Sequence, residues 1–169
     1  MRFRFRGKSK RQHEVDVSDR RVAKVIAKCQ DLPGQDLFQY VDEDGEVQNV
    51  ASQDVNEYLR QIAGEDFTAK DFRTWGGTVL AAIALSRQEE FQTQKQAKSN
   101  IKTAIWAVAE LLGNTPAVCR KCYVHPIIVE AYLNRTRIAR LNGDTKALEP
   151  PNLRAAERAV LKFLDARES

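Results

Sequence analysis

FTAKDFRTWGGTVLAAIALS, residues 67 to 86, is the longest helical pattern in the chain. Thr68 stands where a cap belongs, and the second half is rich in Ala and Leu. A helix of that length sets the expectation for the whole: a mainly α protein. The stretch also carries Lys70 and Arg73 near its start.

Working toward the C-terminus, RQEEFQTQKQ (87–96) reads as either an exposed helix end or a loop. Ile101, Ile105, Val108 and Leu112 then recur at helix spacing up to Gly113, with Asn114 at the helix-to-turn junction. A short helix follows Pro116 toward Tyr123, and another runs past Pro126 through Leu133. NGDTKALEPP (142–151) reads as a linker, before an amphipathic helix over about 153–166 with Leu153, Val160, Leu161 and Leu164 inward.

Working toward the N-terminus, Ser52 is expected to cap a helix through Ile62 that Gly64 closes. LFQYV (37–41) reads as a short strand, DEDG (42–45) as a turn, and EVQNV (46–50) as a returning extended piece. Ser18 or Asp19 can cap a helix bearing Val22, Val25, Ile26 and Cys29 on one face, ended by Asp31-Leu32-Pro33-Gly34. Ahead of it, Arg2, Arg4 and Arg6 alternate with Phe3 and Phe5, which is strand period. Gly7-Lys8-Ser9-Lys10 suits a turn, and QHEVDV resumes the alternation, so 2–6 and 12–17 read as a basic β-hairpin. The expected fold class is therefore mainly α with a small antiparallel β part (α+β).

The 169 residues suffice for one compact domain, or one domain and a tail. Apolar residues make up 43% and charged residues 30%, an ordinary globular composition. No apolar run approaches the roughly 20 residues that span a bilayer. The opening residues do not form a signal-peptide pattern either, so the expected compartment is the cytoplasm. The net charge of +4 is local: six of the 27 Lys and Arg lie in residues 1–11 with no acid, while the rest carries 21 bases against 23 acids. Such a patch on a nearly neutral body suits a polyanionic partner. An edge strand kept from aggregating by its charges would look the same.

GNTPAVCRKCYVHP (113–126) holds a C-x-x-C pair, a histidine and Tyr123. Structural zinc needs four ligands, and Cys29, His13 and His125 are the only further candidates, with no second pair. Thioredoxin-type chemistry expects its cysteines just after a strand, whereas these follow a Pro-initiated helical turn. The thiols are read as packing side chains, with neither metal nor redox cofactor expected. Lys8, Arg73, Asn114 and Tyr123 together offer an ammonium, a guanidinium, an amide and a phenol, a set suited to phosphoryl transfer without a metal.

Four blocks, RFRFRGKSKRQHEVDV, LPGQDLFQYVDEDG, FTAKDFRTWGGTVLAA and LGNTPAVCRKCYVHP, lie in one order over most of residues 2–133. In them the chain resembles the catalytic domain of type IB DNA topoisomerases, of the small bacterial kind related to the poxvirus enzymes. The resemblance implies supercoil relaxation by transient cleavage of one strand of duplex DNA, with Tyr123 as nucleophile linked to the 3′ phosphate. It further implies Lys8 as the general acid for the departing 5′ oxygen and Arg73 on nonbridging phosphate oxygens. Asn114 stands where the poxvirus enzymes carry a histidine; its NH₂ can still donate to a phosphate oxygen, without a histidine's pH dependence.

The chemistry suits these groups. A free phenol is ionised about once per thousand molecules at pH 7, so nearby cations must stabilise the charge that appears on attack. The phosphotyrosyl bond conserves the energy of the cleaved linkage, so religation needs no ATP, and no cofactor is expected. Arg2, Arg4, Arg6, Lys10, Lys70, Arg120 and Lys121 are candidates for DNA contacts, Arg120 and Lys121 equally for a solvated helix face. His125 reads as a residue that fixes local structure.

Domain organisation is expected as a truncated catalytic domain over 1–141 (basic hairpin 2–17, helical body 18–141), then a linker and terminal helix over 142–169. Intact family members carry an N-terminal domain and a further catalytic arginine ahead of the hairpin. No residue before Arg2 fills that role here, so weak or absent relaxation is expected of this chain alone, a monomer that needs the further domain. Two other functions remain open. A tyrosine recombinase or integrase would usually show H-x-x-R where this chain has Lys70-Asp71-Phe72-Arg73. The other is a non-catalytic DNA-binding remnant that retains the basic hairpin but has no turnover.

Overall fold

The computed structural model describes residues 1–7, 12–32, 36–136 and 150–168. The chain forms two compact units, Met1–Thr68 and Ala69–Ser169.

The first unit opens with β1 (Arg2–Arg6) and β2 (Gln12–Asp16), paired antiparallel with Arg2 opposite Asp16 and Arg6 opposite Gln12. Strand alternation sorts the side chains: Arg2 and Arg4 face Asp16 and Glu14, while Phe3 and Phe5 face Val15 and His13. The Phe5 and His13 rings stack with centroids 5.2 Å apart. One further rung closes the open end, as the Val17 N–H donates to the Met1 carbonyl and the Met1 ammonium to the Val17 carbonyl, each at 2.8 Å.

Helix α1 (Arg20–Gln30) starts at Asp19, whose carboxylate accepts from the Arg21 N–H at 2.7 Å and the Val22 N–H at 3.4 Å. Of its expected apolar face only Ile26 is buried; Cys29 is half-buried, and Val22 and Val25 are exposed. The second hairpin pairs β3 (Gln39–Val41) with β4 (Val47–Asn49). Asp42 builds its turn by accepting from the N–H groups of Asp44 and Glu46 and from Gln48 Nε2. Gly45, at φ 83°, supplies the left-handed residue. Helix α2 (Ser52–Ala63) begins one residue earlier than its serine suggests. Its N-cap is Ala51, whose N–H is held at 2.7 Å by the Asp54 carboxylate, and Gly64 closes it at φ 71°. Among the described residues of this unit, Ile26 is the one buried apolar side chain.

The second unit holds the core, and the regular elements among its described residues are all helices: α3 (Ala69–Ser86), α4 (Gln94–Leu111), α5 (Pro116–Cys122), α6 (Pro126–Leu133) and α7 (Pro150–Glu168). Helix α3 is apolar nearly all round over its second half, which is the pattern of a helix surrounded by others. It packs against α4, α6 and α7, burying Val79, Ala81, Ala82, Ile83 and Leu85.

The ambiguous stretch before α4 resolves as a loop with a firm end. Thr93 Oγ1 accepts from the Gln96 N–H at 3.2 Å while Gln96 Oε1 accepts from the Thr93 N–H at 3.0 Å, a reciprocal cap that starts the helix. Phe91 in this loop is buried, with the Arg135 guanidinium 5.0 Å from its ring centre.

Helix α7 buries Ala156 and Val160, with Ala159, Phe163 and Leu164 packed beside them. Leu161, expected inward, is 50% exposed, because the buried stripe runs 156, 159, 160, 163, 164 and Leu161 stands 100° past Val160. The Leu153 side chain, and residues 142–149 of the expected linker, lie outside the described residues. Among the described residues no helix is long and apolar enough to cross a membrane.

Candidate active site

Arg73 projects from the first turns of α3, exposed, with its guanidinium carbon 5.1 Å from the centre of the Tyr123 ring. That separation is a cation–π contact, so the arginine lies against the phenol. One Arg73 N–H donates to the Leu112 carbonyl at 2.7 Å. Leu112 is the C-cap of α4, and the carbonyls ending a helix have no partner within it. A cation there also suits the negative end of the helix dipole.

The same carbonyl accepts from Asn114 Nδ2 at 3.1 Å. Asn114 reaches it through the chain reversal after α4. Gly113 takes φ 65°, its N–H returns to the Glu110 carbonyl at 3.1 Å, and the Asn114 N–H returns to Ala109 at 2.8 Å. That is a Schellman closure, which fixes the direction in which Asn114 leaves the helix. Leu112 O therefore ties an arginine from α3 to an amide from the end of α4.

Tyr123 is the C-cap of α5, half-buried, with its N–H on the Cys119 carbonyl at 2.9 Å. Thr115 caps the start of that helix by accepting from the Val118 N–H, and Pro116 occupies its first turn. His125 caps α6, its Nδ1 accepting from the Ile127 N–H at 3.4 Å. Lys70, Arg120 and Lys121 are exposed, Lys70 in the first turn of α3 and the other two in the last turn of α5.

Arg73, Asn114 and Tyr123 thus meet within the helical unit. Lys8 and Lys10 lie outside the described residues. Arg2 and Arg4 sit on the exposed face of the first hairpin and are paired within it. Arg2 binds Asp16 at 2.8 and 2.9 Å and Glu14 at 2.9 Å, and Arg4 binds Glu14 at 3.0 Å. The hydrogen bond from Arg2, more than the bare charge, holds the Asp16 carboxyl below the usual carboxylate range. Arg6 is exposed at the end of β1.

All three thiols are free: Cys119 is fully buried, Cys29 half-buried and Cys122 exposed. Burial pushes the Cys119 thiol upward, away from reactivity. Among the described residues no three His, Cys, Asp or Glu side chains converge as a metal site.

Sequence reasoning overlooked Thr78 and the Leu112 carbonyl. A threonine ahead of an unbroken apolar run on a buried helix is a signal, since a buried hydroxyl needs partners. A backbone acceptor leaves no such letter.

A helical unit with two small antiparallel hairpins ahead of it is the class of the type IB topoisomerase catalytic core, and the chain belongs to that family: the family model described as eukaryotic DNA topoisomerase I, catalytic core, matches residues 1–149. Among individual proteins, the chain is similar to a DNA topoisomerase 1B of Acanthamoeba polyphaga mimivirus, at 34% identity over 137 residues. The match covers 77% of this chain and 41% of the viral protein, so the chain spans well under half of that relative's length.

Proposed function

We propose that this chain carries the strand-cleaving and religating chemistry of a type IB DNA topoisomerase. The Tyr123 oxygen gives up its proton to water and attacks the scissile phosphorus of one strand of duplex DNA, with the Arg73 guanidinium beside the ring favouring the phenolate that forms. A phosphotyrosyl bond forms to the 3′ phosphate as the bond to the 5′ oxygen breaks, and that oxygen leaves with a proton from Lys8. Religation reverses each transfer, so bonds and protons balance without ATP, metal or cofactor. Arg73 and Asn114 donate to the nonbridging oxygens, where negative charge grows toward the transition state. The Leu112 bond uses one of the five guanidinium N–H groups of Arg73, so the fork retains donors for phosphate. Arg2, Arg4, Arg6, Lys10, Lys70, Arg120 and Lys121 lie along the DNA backbone, positioning it without reading sequence. We place the protein's work at the nucleoid in the cytoplasm, as a monomer.

The observation that carries this reading is the stacking of the Arg73 guanidinium on the Tyr123 ring, with Asn114 tied to the same carbonyl as Arg73. Incubating the chain with a nicked duplex, from which the short downstream fragment bearing the freed 5′-hydroxyl escapes, and denaturing it in detergent should trap a covalent protein–DNA adduct. The adduct should vanish in Tyr123→Phe. DNA binding with no adduct from the wild-type chain would leave a binding remnant in place of an enzyme. Strand exchange between two duplexes would instead favour a recombinase.

A further inference from the structure

Helix α3 does more than carry Arg73. One turn on, Thr78 is 2% exposed, the buried polar side chain of the described core. Its hydroxyl is engaged with the turn that joins α5 to α6. Thr78 Oγ1 accepts from the His125 N–H at 3.1 Å and donates toward the Tyr123 carbonyl at 3.5 Å, the former the firmer contact. A turn earlier, Thr74 Oγ1 lies 3.4 Å from the Cys122 carbonyl while donating to Lys70 at 2.9 Å. Between them, Gly77 meets the backbone of Tyr123. A Cβ there would collide with the Tyr123 carbonyl oxygen and stand 3.1 Å from the Tyr123 Cβ.

Residues 74, 77 and 78 form one face of a helix, by i, i+3, i+4 spacing. That face holds the backbone of residues 122, 123 and 125. The carbonyls closing α5 have no partner within so short a helix, and α3 supplies one. The helix that presents the guanidinium therefore also grips the backbone of the phenol.

We infer that Gly77 and Thr78 are positioning residues for the nucleophile: they seat the Tyr123 turn so that the phenol keeps its register with Arg73. The catalytic part of this inference rests on the function proposed above. A nucleophile displaced by about 1 Å can lose on the order of 100-fold in rate, so the seat acts through geometry and touches no substrate.

Three variants test it: Thr78→Val, which removes the hydroxyl at nearly constant volume; Thr78→Ser, which keeps it; and Gly77→Ala. Two readouts are used. One is the rate of adduct formation on the nicked duplex at saturating DNA, with the dissociation constant measured separately. The other is hydrogen exchange at the His125 amide, followed by NMR together with the Tyr123 ring signals. Thr78→Val should lower the adduct rate by roughly 10- to 100-fold with DNA affinity unchanged, and should speed exchange at His125. Thr78→Ser should retain most of the rate and the protection. Gly77→Ala should lose rate and shift the Tyr123 ring signals although the hydroxyl remains.

A wild-type rate and unchanged exchange in Thr78→Val would overturn the inference. So would an equal loss in Thr78→Ser, which would mean the hydroxyl is not the agent. Should Thr78→Val fail to fold, Gly77→Ala decides: normal rate and ring signals there would sink the seat. If the wild-type chain forms no adduct, the proposed chemistry fails, and the exchange and ring signals still decide whether the seat exists.

Discussion

Gly76 and Gly77 are neighbours with opposite surroundings. A Cβ at Gly76 meets nothing within 4 Å, whereas at Gly77 it meets the backbone of Tyr123. Both lie inside α3, where Ala exceeds Gly in helix propensity by about 1 kcal/mol. Gly76→Ala should therefore stabilise the chain by up to about 1 kcal/mol in denaturant unfolding. Gly77→Ala should fall well short of that gain or destabilise, since backbone must move to admit the methyl. A sequence reader sees only G-G; the distinction belongs to a neighbour 46 positions away. At Arg73 the argument concerns shape as well as charge. Arg73→Ala should lower the adduct rate by about 10²- to 10³-fold, the usual loss for one charge-stabilising donor. Arg73→Lys should recover little of it, because a lysine lacks the planar fork that serves Leu112 and the ring and, in the proposed chemistry, a phosphate as well. The blocks around Arg73, Asn114 and Tyr123 singled out these three, and the fold brings them together. The carbonyl that links two of them was not, because every residue has one.

Among the elements, the first hairpin is the clearest case of a face that balances itself. Its arginines were legible as a basic stripe, and so was the alternation of Glu14 and Asp16. The cross-strand register then sets acid against base, so part of the positive face is neutralised by its own partner strand. Replacing both acids, Glu14→Gln with Asp16→Asn, should tighten DNA binding. It should also steepen the fall of log affinity with log salt by about 1 to 2, as two arginines gain phosphates to neutralise. A duplex titration across a salt series reads both quantities. Acid should act in the same direction. The folded-state pKa of Asp16 lies below its unfolded value, so its pairing stabilises the hairpin above the ordinary Asp pKa of about 3.9 and is lost as pH falls through the lowered value. Hairpin amide shifts followed by NMR should show that loss below about pH 4 in the wild-type chain and not in Asp16→Asn. Elsewhere the element boundaries were readable wherever a cap had a letter, as with Asp19, Gly64, Pro116 and Pro126. The start of α4 was also written, as Thr93 with Gln96 three residues later, but inside a polar run that hid it. The start of α2 was misread by one residue because Asp54, and not Ser52, holds the terminal N–H.

For the molecule as a whole, the informative element is the last one. The family match ends at residue 149, and α7 runs from Pro150 to Glu168, beyond it. Yet α7 packs on α3, the helix that carries Arg73 and Thr78, and Val160 is among the largest fully buried side chains. The sequence foretold an amphipathic helix there; what it docks against is a tertiary fact that periodicity does not contain. Burying Val160, Ala156 and the flanks of Phe163 and Leu164 removes enough apolar surface to contribute roughly 3 to 6 kcal/mol, a large share of a small domain's stability. Ending the chain at residue 149 should therefore retain every family-matched position but lower the unfolding midpoint of the helical unit markedly and expose a dye-binding apolar face. Val160→Ala should cost about 1 to 3 kcal/mol. Val160→Asp should cost more, because it places a carboxylate where apolar packing leaves it no partner. Leu161→Asp, one residue on and half exposed, should be nearly neutral. A melt of the full chain and these four variants separates the cases. Equal midpoints for the shortened and full chains would make α7 an appendage, whereas a large loss at 160 and none at 161 would make it a structural part of the unit that holds Tyr123.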